Sequence, residues 1–264
     1  MKVALVQFNA GPDKSDNVVR AVDFVRRAID RGARFVLLPE IYPFRGDTRD
    51  KKRVAAVSES VPGPSIEPLM KMARAAKVCI LAGSVFEKAP AGKAYNTSVL
   101  IDAKGKITAK YRKIHLFDAR LGDKIIRESD RLAAGRLTAK ARAGKFTVGL
   151  SVCYDLRFPD LYAAYGNAGV DAVAVPSCFT QKTGQAHWEV LLRARAIENL
   201  CYVLAPNQVG KDARGVAAYG NSMVVDPWGK VIARGSGNKE EIVYAELKAE
   251  EIRKARAILP GIIK

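Results

Sequence analysis

Cys153 is the residue in this chain that is best placed for nucleophilic chemistry. It follows an apolar run over residues 148–152 and precedes the segment Tyr-Asp-Leu-Arg-Phe-Pro. This pattern predicts a thiol at the tip of a strand, on a turn that leads into a helix. The first amides of such a turn favour negative charge near the sulfur. Because a cysteine at a strand end is often structural, this segment alone does not establish a catalytic role.

Two charged residues that could assist a thiol also close predicted strands. Glu40 ends the apolar segment 33–40, and Lys113 ends the segment 108–113. Taken singly, the first has an ordinary interpretation as a surface acid and the second as a solvated charge. Together with Cys153 they suit one reaction, in which a carboxylate deprotonates a thiol and the thiolate attacks a carbonyl or nitrile carbon. The ammonium group would stabilise the oxyanion that forms.

The elements that must position these groups alternate between strand and helix along the whole chain. Functional groups gather at the carboxyl ends of strands in α/β sheets, which gives a structural reason for three such strand ends to act together. No linker interrupts the series, which predicts a single α/β domain over residues 1–264. The pattern predicts strands at 2–8, 33–40, 78–86, 95–102, 106–113, 145–153, 170–176, 201–207, 222–226, 230–234 and 242–247, and helices at 16–31, 65–76, 160–167, 185–199 and 249–258.

Composition excludes several classes of protein. The chain has 264 residues, of which 48% are hydrophobic, and it lacks an apolar run of about 18 residues, so we expect no membrane partner. The N-terminus is typical of a first strand and not of a signal peptide, which indicates a cytoplasmic protein. The four cysteines are widely spaced, without a C-x-x-C pair, so neither a disulfide framework nor a metal site is expected.

The net charge of +17 raises the question of a nucleic-acid partner. The basic residues are spread along the whole chain, and no RNA- or DNA-binding motif accompanies them. We therefore expect no nucleic-acid partner and interpret the excess as a solvated basic surface. The same positive field would attract an anionic small substrate.

Five sequence blocks resemble the nitrilase superfamily of carbon–nitrogen hydrolases, and the resemblance covers essentially the whole chain. Their order along the chain also matches, and the segments after the nucleophile are most similar to the Nit branch. Nitrilases usually carry Trp-Glu after the nucleophile, where this chain has Tyr-Asp. The blocks are Leu37-Leu-Pro-Glu40, Tyr111-Arg-Lys-Ile-His-Leu-Phe-Asp118, Val152-Cys-Tyr-Asp-Leu-Arg-Phe-Pro159, the helix-like segment from Gly184 to Asn199, and the segment from Tyr219 to Gly229.

The resemblance implies a fold and a set of site residues. The fold is a four-layer α-β-β-α sandwich that pairs into homodimers or larger homo-oligomers. Glu40, Lys113 and Cys153 match the catalytic triad, and Glu128 matches a second glutamate that positions the triad and the substrate. Glu128 has an alternative interpretation as a solvated loop acid. The oxyanion hole would consist of the Lys113 ammonium and the backbone N–H of Tyr154.

The function implied is a cysteine-dependent amidohydrolase that cleaves a non-peptide carbon–nitrogen bond through a thioester and releases ammonia. Its substrate would be a small anionic amide of the α-keto acid type, and it would need neither cofactor nor metal. The sequence is most similar to deaminated glutathione amidase. The alternatives are an omega-amidase, a nitrilase or an N-carbamoyl hydrolase with the same triad. From another class, a non-catalytic binding protein with a basic surface is disfavoured, because the reactive groups are intact.

Overall fold

The computed structural model describes residues 1–121 and 124–260, and these form a mixed α/β structure. The helices are α1 (Lys14–Asp30), α2 (Lys51–Val57), α3 (Glu67–Ala76), α4 (Pro159–Asn167), α5 (Gln181–Asn199) and α6 (Ala249–Ile258). The strands are β1 (Lys2–Gln7), β2 (Phe35–Leu37), β3 (Cys79–Leu81), β4 (Val85–Lys88), β5 (Ala94–Ile101), β6 (Ile107–Arg112), β7 (Asp118–Leu121), β8 (Lys124–Arg127), β9 (Lys140–Ala143), β10 (Phe146–Leu150), β11 (Ala172–Ala174), β12 (Tyr202–Ala205), β13 (Val209–Lys211), β14 (Ala217–Tyr219), β15 (Met223–Val225), β16 (Val231–Arg234) and β17 (Glu241–Glu246).

Two large sheets share the same central pattern. One has the order β17-β1-β2-β3-β5-β4, with β6 paired to β5, and the other has the order β16-β15-β12-β11-β10-β9. In the first sheet β1, β2 and β3 run parallel, and in the second β10, β11 and β12 do so. The flanking strands are antiparallel to these centres. Each sheet therefore presents the carboxyl ends of its parallel strands along one edge.

Alternation along the strands divides the apolar side chains between two cores. Val3 and Leu5 of β1 belong to one buried cluster with Val148 of β10. These side chains pack between the two sheets. Ala4 and Val6, on the opposite face of β1, pack in a second cluster that includes residues of α1 and α3. Successive strand residues point to opposite faces of a sheet, so this second cluster lies on the other face of the first sheet. Helices α1 and α3 cover that face.

The other face of the second sheet carries α4 and α5. Gly149 of β10 faces the Tyr165 ring of α4 so closely that a side chain at this position would collide with it. Trp188 of α5 is buried in the same cluster as the second sheet. The layers are thus helix, sheet, sheet, helix, which confirms the four-layer α-β-β-α sandwich. None of the described helices is long and apolar enough to cross a bilayer.

Most of the predicted elements are confirmed, with ends that shift by a few residues. Strands β5 and β6 and the final helix α6 lie where the sequence predicts two strands and a helix. The prediction of a single strand over 78–86 is wrong, because the strand is interrupted between β3 and β4 at Gly83, whose φ is +34°. The sequence did not predict α2, β9, or the hairpins β7–β8 and β13–β14. The proposed domain over 1–264 stays a prediction, and its residues 122–123 and 261–264 lie outside the described ranges.

Candidate active site

Glu40 lies in a turn just beyond β2, held from both sides. The strand ends at Leu37, so the expectation that Glu40 itself ends the strand is wrong by three residues. A side chain on Gly83 would collide with the carbonyl oxygen of Pro39, so glycine is required where the β3–β4 break meets this turn. From the segment between β12 and β13, the Gln208 side chain donates to the Glu40 carbonyl oxygen at 2.8 Å. The backbone of Glu40 is therefore fixed from two remote parts of the chain.

Lys113 is a buried cation placed between two carboxylates. It directly follows β6, and only 1% of its side chain is exposed. Its Nζ donates to Glu40 Oε1 at 3.1 Å and to Glu128 Oε2 at 3.0 Å. Burial alone would lower the pKa of the ammonium, but the carboxylates of Glu128 and Glu40 outweigh burial and raise the pKa well above its ordinary value. Lys113 is therefore charged throughout the neutral pH range.

Glu128 begins a short 3₁₀ helix, Glu128–Asp130, after strand β8. Besides the Lys113 ammonium, its Oε2 accepts the backbone N–H of Phe117 at 2.8 Å. The interpretation of Glu128 as a solvated loop acid is therefore disfavoured by its contacts. Its carboxylate ties the loop after β6 to the buried cation.

Cys153 occupies a turn with an unusual backbone conformation. Strand β10 ends at Leu150, and Cys153 is the first residue of the 3₁₀ helix Cys153–Arg157 rather than the last residue of the strand. Its φ of +50° lies in the left-handed region that side chains other than glycine rarely adopt. Its N–H donates to the carbonyl oxygen of Pro176 at 3.0 Å, which fixes the turn against the neighbouring strand segment. Strain of this kind is frequent at functional sites.

The thiol of Cys153 is neutral at rest. Burial raises its pKa well above the ordinary value, and the nearby Glu40 carboxylate raises it further. Lys113 and the backbone amide of Cys178 favour the thiolate but do not outweigh these effects. A thiol in this state requires a base to become a nucleophile, and the Glu40 carboxylate adjoins it.

Asp155 fastens the turn that carries the thiol. Its buried carboxylate accepts the backbone N–H of Val152 at 2.9 Å and the Tyr111 hydroxyl at 2.7 Å. It also accepts the backbone N–H of His115 at 2.9 Å. These bonds join the start of the 3₁₀ helix to the segment on either side of Lys113. The turn of Cys153 and the strand end of Lys113 are thus held as one unit.

A common cavity of about 850 Å³ is lined by the four predicted site residues, Glu40, Lys113, Glu128 and Cys153. Tyr154, the residue after the thiol, also lines it. Tyr154 is the second residue of its 3₁₀ helix, where backbone N–H groups have no acceptor within the helix. The lining combines apolar and aromatic walls with several arginines, and comprises Glu40, Ile41, Arg45, Gly46, Thr48, Arg49, Phe86, Asn96, Lys113, Phe117, Ile125, Ile126, Arg127, Glu128, Asp130, Arg131, Leu132, Cys153, Tyr154, Arg157, Cys178, Phe179, Thr180, Thr183, Asp212, Arg214, Val216, Ala217 and Ala218.

Sequence reasoning missed two polar residues of this cavity. Asn96 donates to Glu40 Oε1 at 2.9 Å. Arg45, which is 4% exposed, donates to the carbonyl oxygens of Val209, Gly210 and Val216. The available signal for Asn96 was a run of polar residues, Asn96-Thr97-Ser98, inside the predicted strand 95–102. Among the described residues no group of three or more His, Cys, Asp or Glu side chains could hold a metal ion, and the expected absence of a metal stays a prediction.

Comparison with known proteins assigns the family. A model of the carbon–nitrogen hydrolases matches residues 2–257. The chain belongs to the carbon–nitrogen hydrolase family. It is 37% identical to the omega-amidase NIT2 of Homo sapiens over 260 residues, which are 98% of this chain and 92% of that protein. It is 38% identical to the deaminated glutathione amidase of Synechocystis sp. strain PCC 6803 over 264 residues, covering 98% and 96% of the two chains.

A solved structure supports the same placement within the family. Nit3 of Saccharomyces cerevisiae, a member of branch 10 of the nitrilase superfamily, superposes with a TM-score of 0.87 and is 35% identical. The match covers 99% of this chain and 94% of Nit3. The resemblance to the Nit branch is thus confirmed. The chain is a hydrolase that acts on carbon–nitrogen bonds other than peptide bonds.

Proposed function

We propose that this hydrolase is a cysteine-dependent amidase that works through a thioester acyl-enzyme. The observation that carries the proposal is the arrangement of one cavity, in which a neutral Cys153 thiol adjoins the Glu40 carboxylate and the buried Lys113 ammonium. A nucleophile, a base and a cation within one cavity are the groups that acyl transfer requires.

Acylation uses each of these groups in turn. Glu40 takes the thiol proton while the sulfur of Cys153 attacks the amide carbon and the carbonyl electron pair moves to oxygen. The resulting oxyanion accepts hydrogen bonds from the Lys113 ammonium and the backbone N–H of Tyr154. When the carbonyl re-forms, the carbon–nitrogen bond breaks, and protonated Glu40 gives its proton to the departing nitrogen. Ammonia leaves from a primary amide, and an amine leaves from a substituted one.

Deacylation repeats the same proton transfers with water. Glu40 takes a proton from a water molecule as its oxygen attacks the thioester carbon, and the same oxyanion donors stabilise the second intermediate. The carbon–sulfur bond then breaks, the sulfur recovers the proton from Glu40, and a carboxylic acid leaves. Glu128 takes no proton in this scheme, because its role is to hold the Lys113 ammonium in place.

An anionic substrate of the α-keto acid type fits the cations of the cavity. The guanidinium of Arg157 lies 5.7 Å from the Tyr154 ring centre and 5.4 Å from that of Phe179. Its Nη1 lies 3.2 Å from His187 Nδ1, and no carboxylate among the described residues is within ion-pair distance of it. Arg157 is therefore available to a substrate carboxylate, which guanidinium groups bind in a bidentate manner.

The size of the cavity favours a long amide over a short one. A volume of about 850 Å³ suits a ligand of the size of a small drug rather than a five-carbon acid amide. We therefore rank a substrate like deaminated glutathione before α-ketoglutaramate, and an omega-amidase is the second candidate. The predicted homo-oligomer, cytoplasmic location and lack of nucleic-acid and membrane partners stay predictions.

A substrate panel tests the proposal. Purified enzyme is incubated with deaminated glutathione, α-ketoglutaramate, a matched nitrile and an N-carbamoyl amino acid, and the carboxylic acid product is measured in every case. Ammonia and dipeptide release identify the leaving group. We expect acid from the two amides and none from the Cys153→Ala variant. Turnover of the nitrile alone, or a Cys153→Ala variant as active as the wild type, would refute the proposed reaction.

The basic surface defines a separate test. If the chain were a nucleic-acid binder without catalytic activity, it would retard DNA or RNA in a gel with strong salt dependence and would leave all four compounds intact. We expect the opposite pattern.

A further inference from the structure

Asn96 connects two residues of the proposed triad. It lies in β5 and is 1% exposed. Its backbone carbonyl accepts the N–H of Lys113 at 2.8 Å, and its side-chain Nδ2 donates to Glu40 Oε1 at 2.9 Å. Asn96 is therefore fixed by the main chain beside the cation and reaches the carboxylate with its side chain. A shift of Asn96 would change the relation of Glu40 to Lys113.

Asn96 and Lys113 both donate to the same oxygen of Glu40. Oε1 receives Asn96 Nδ2 at 2.9 Å and Lys113 Nζ at 3.1 Å. No N–H or hydroxyl donor among the described residues bonds to the other oxygen, Oε2, and the Cys153 thiol hydrogen-bonds to the Glu40 side chain. Two bonds to Oε1 fix the rotation of the carboxylate about its last torsion. They leave Oε2 as the oxygen that is available to take the thiol proton of Cys153.

The carbonyl oxygen of the Asn96 side chain lowers the stability of the fold. Asn96 Oδ1 is buried and has no hydrogen-bond partner within the described residues. A buried acceptor without a partner destabilises a protein, and each such group calls for an explanation. Its neighbours further along the strand, Val99 and Leu100, are apolar and completely buried. An apolar side chain at position 96 would avoid the unpaired oxygen, so the contact with Glu40 accounts for the presence of an amide.

We infer that Asn96 is a positioning residue of the proposed reaction, which holds the Glu40 carboxylate against Lys113 with Oε2 free for proton transfer. The inference rests on the proposed role of Glu40 as the base. Asn96 acts through Glu40 and takes no part in bond making. Its loss affects the rate of the chemical step rather than the binding of substrate.

Three variants test this role. Asn96→Leu removes both polar atoms at similar volume, and Asn96→Asp keeps the shape but replaces the donor with an acceptor. Ser98→Ala is the matched control, because Ser98 lies two residues further along β5 and its buried hydroxyl also has no partner in the described part of the chain. The readouts are kcat and KM for the best amide, the pH–rate profile, and the unfolding temperature.

For Asn96→Leu we expect kcat to fall by about 10- to 100-fold, as for a displaced catalytic group, with KM within about two-fold. The acidic limb of the pH–rate profile should move to higher pH, because a carboxylate that loses a hydrogen-bond donor takes up a proton more readily. Asn96→Asp should lose more activity at pH 7, since two carboxylates then face each other. Ser98→Ala should retain wild-type kcat, pH profile and unfolding temperature.

The outcomes separate this inference from the proposed function. If both Asn96 variants keep the wild-type kcat and pH profile while Glu40→Gln is inactive, the inference is wrong and the proposed base stands. If Glu40→Gln keeps wild-type activity, the proposed function itself fails. If Asn96→Leu does not fold, the decision passes to Asn96→Asp, whose kcat at wild-type level would overturn the inference. A fall in unfolding temperature with unchanged kcat would mean that Asn96 is purely structural.

Discussion

Replacing Lys113 by Met removes the charge at the centre of the site and leaves the buried Glu40 carboxylate and the partly buried Glu128 carboxylate without their cation. The ammonium lies 3.1 Å from Glu40 Oε1 and 3.0 Å from Glu128 Oε2, and its side chain is 1% exposed. Methionine has nearly the same length and is apolar, so the packing is retained while both ion pairs are lost. We expect this variant to lose both stability and activity.

The size of each loss follows from the geometry. Breaking a buried ion pair by removing one partner costs about 3–5 kcal/mol of unfolding free energy, because an uncompensated charge remains buried. For a chain of this size, each kcal/mol lowers the unfolding temperature by about 2–4 °C, which gives a decrease of about 6–20 °C. Removal of one oxyanion donor lowers kcat by about 10²–10³-fold. Lys113→Arg should not restore kcat, since a planar guanidinium presents its donors at another reach and angle.

The loss of stability in Lys113→Met should become smaller as the pH falls. In the wild type the pKa of Lys113 is raised, so its contribution is fully present below the ordinary lysine value and is lost only as the pH rises through the higher folded value. In Lys113→Met we expect a carboxylate that has lost its cation to be protonated at low pH, which removes the uncompensated charge. The gap in unfolding temperature from the wild type should therefore be smaller at pH 5 than at pH 8.

Thermal unfolding followed by circular dichroism at both pH values measures this gap, and steady-state product formation measures kcat. The double variant Lys113→Met with Glu128→Gln is the control, because it removes one of the orphaned charges and should be more stable than Lys113→Met alone. An unfolding temperature equal to that of the wild type at pH 8, or a gap that does not change with pH, would refute the assignment of a buried charged cluster. A kcat within a few-fold of the wild type would refute the proposed oxyanion donor.

Three further predictions concern single side chains. Cys153→Ala should abolish product formation while Cys178→Ala retains most of it, and mass spectrometry should detect an acyl adduct on Cys153 alone. Glu40→Gln should lower kcat by about 10²-fold or more, because an amide takes no proton, and an unchanged pH–rate profile would count against this role. Burial would raise the pKa of Glu87, but its hydrogen bonds, led by that from Arg112, outweigh burial and lower it to about 2 from 4.5. Its contribution of about 3 kcal/mol is therefore present above pH 4.5 and lost as the pH falls towards 2, so Glu87→Gln should lower the unfolding temperature at pH 7 far more than at pH 2.

The sequence indicated candidate site residues because their types and order carry a chemical pattern. A thiol after an apolar run, a carboxylate after Pro39 and a lysine after the second strand of a hairpin could each be located from local sequence. The structure brings all of these residues to one cavity. The exact strand ends could not be predicted, because the turn of Glu40 depends on a tight contact with Gly83, which is remote in sequence.

The residues that the sequence did not indicate are those whose partners lie far along the chain. Arg45 donates hydrogen bonds to the carbonyl oxygens of Val209, Gly210 and Val216. These residues belong to a hairpin that begins more than 160 positions later in the chain. Neither the hairpin nor its contact leaves a local signal, since an arginine after an apolar segment is typical of a surface residue. Asn96 lies in a polar run within β5, but that run does not indicate which residue its side chain contacts, because Glu40 lies on another strand connection.

The charges of the site give a physical reason why the orientation of Lys113 and Glu40 matters to the proposed reaction. At rest the Lys113 ammonium is positive and the Cys153 thiol is neutral, because the pKa of each group is raised. In the proposed attack Glu40 gains the proton and the substrate oxygen gains the negative charge, so the net charge does not change. The reaction moves one charge over a short distance in a buried site, and solvent has little to reorganise. The barrier then depends on how well the ammonium and the carboxylate are already oriented, and this is the relation that the Asn96 amide fixes.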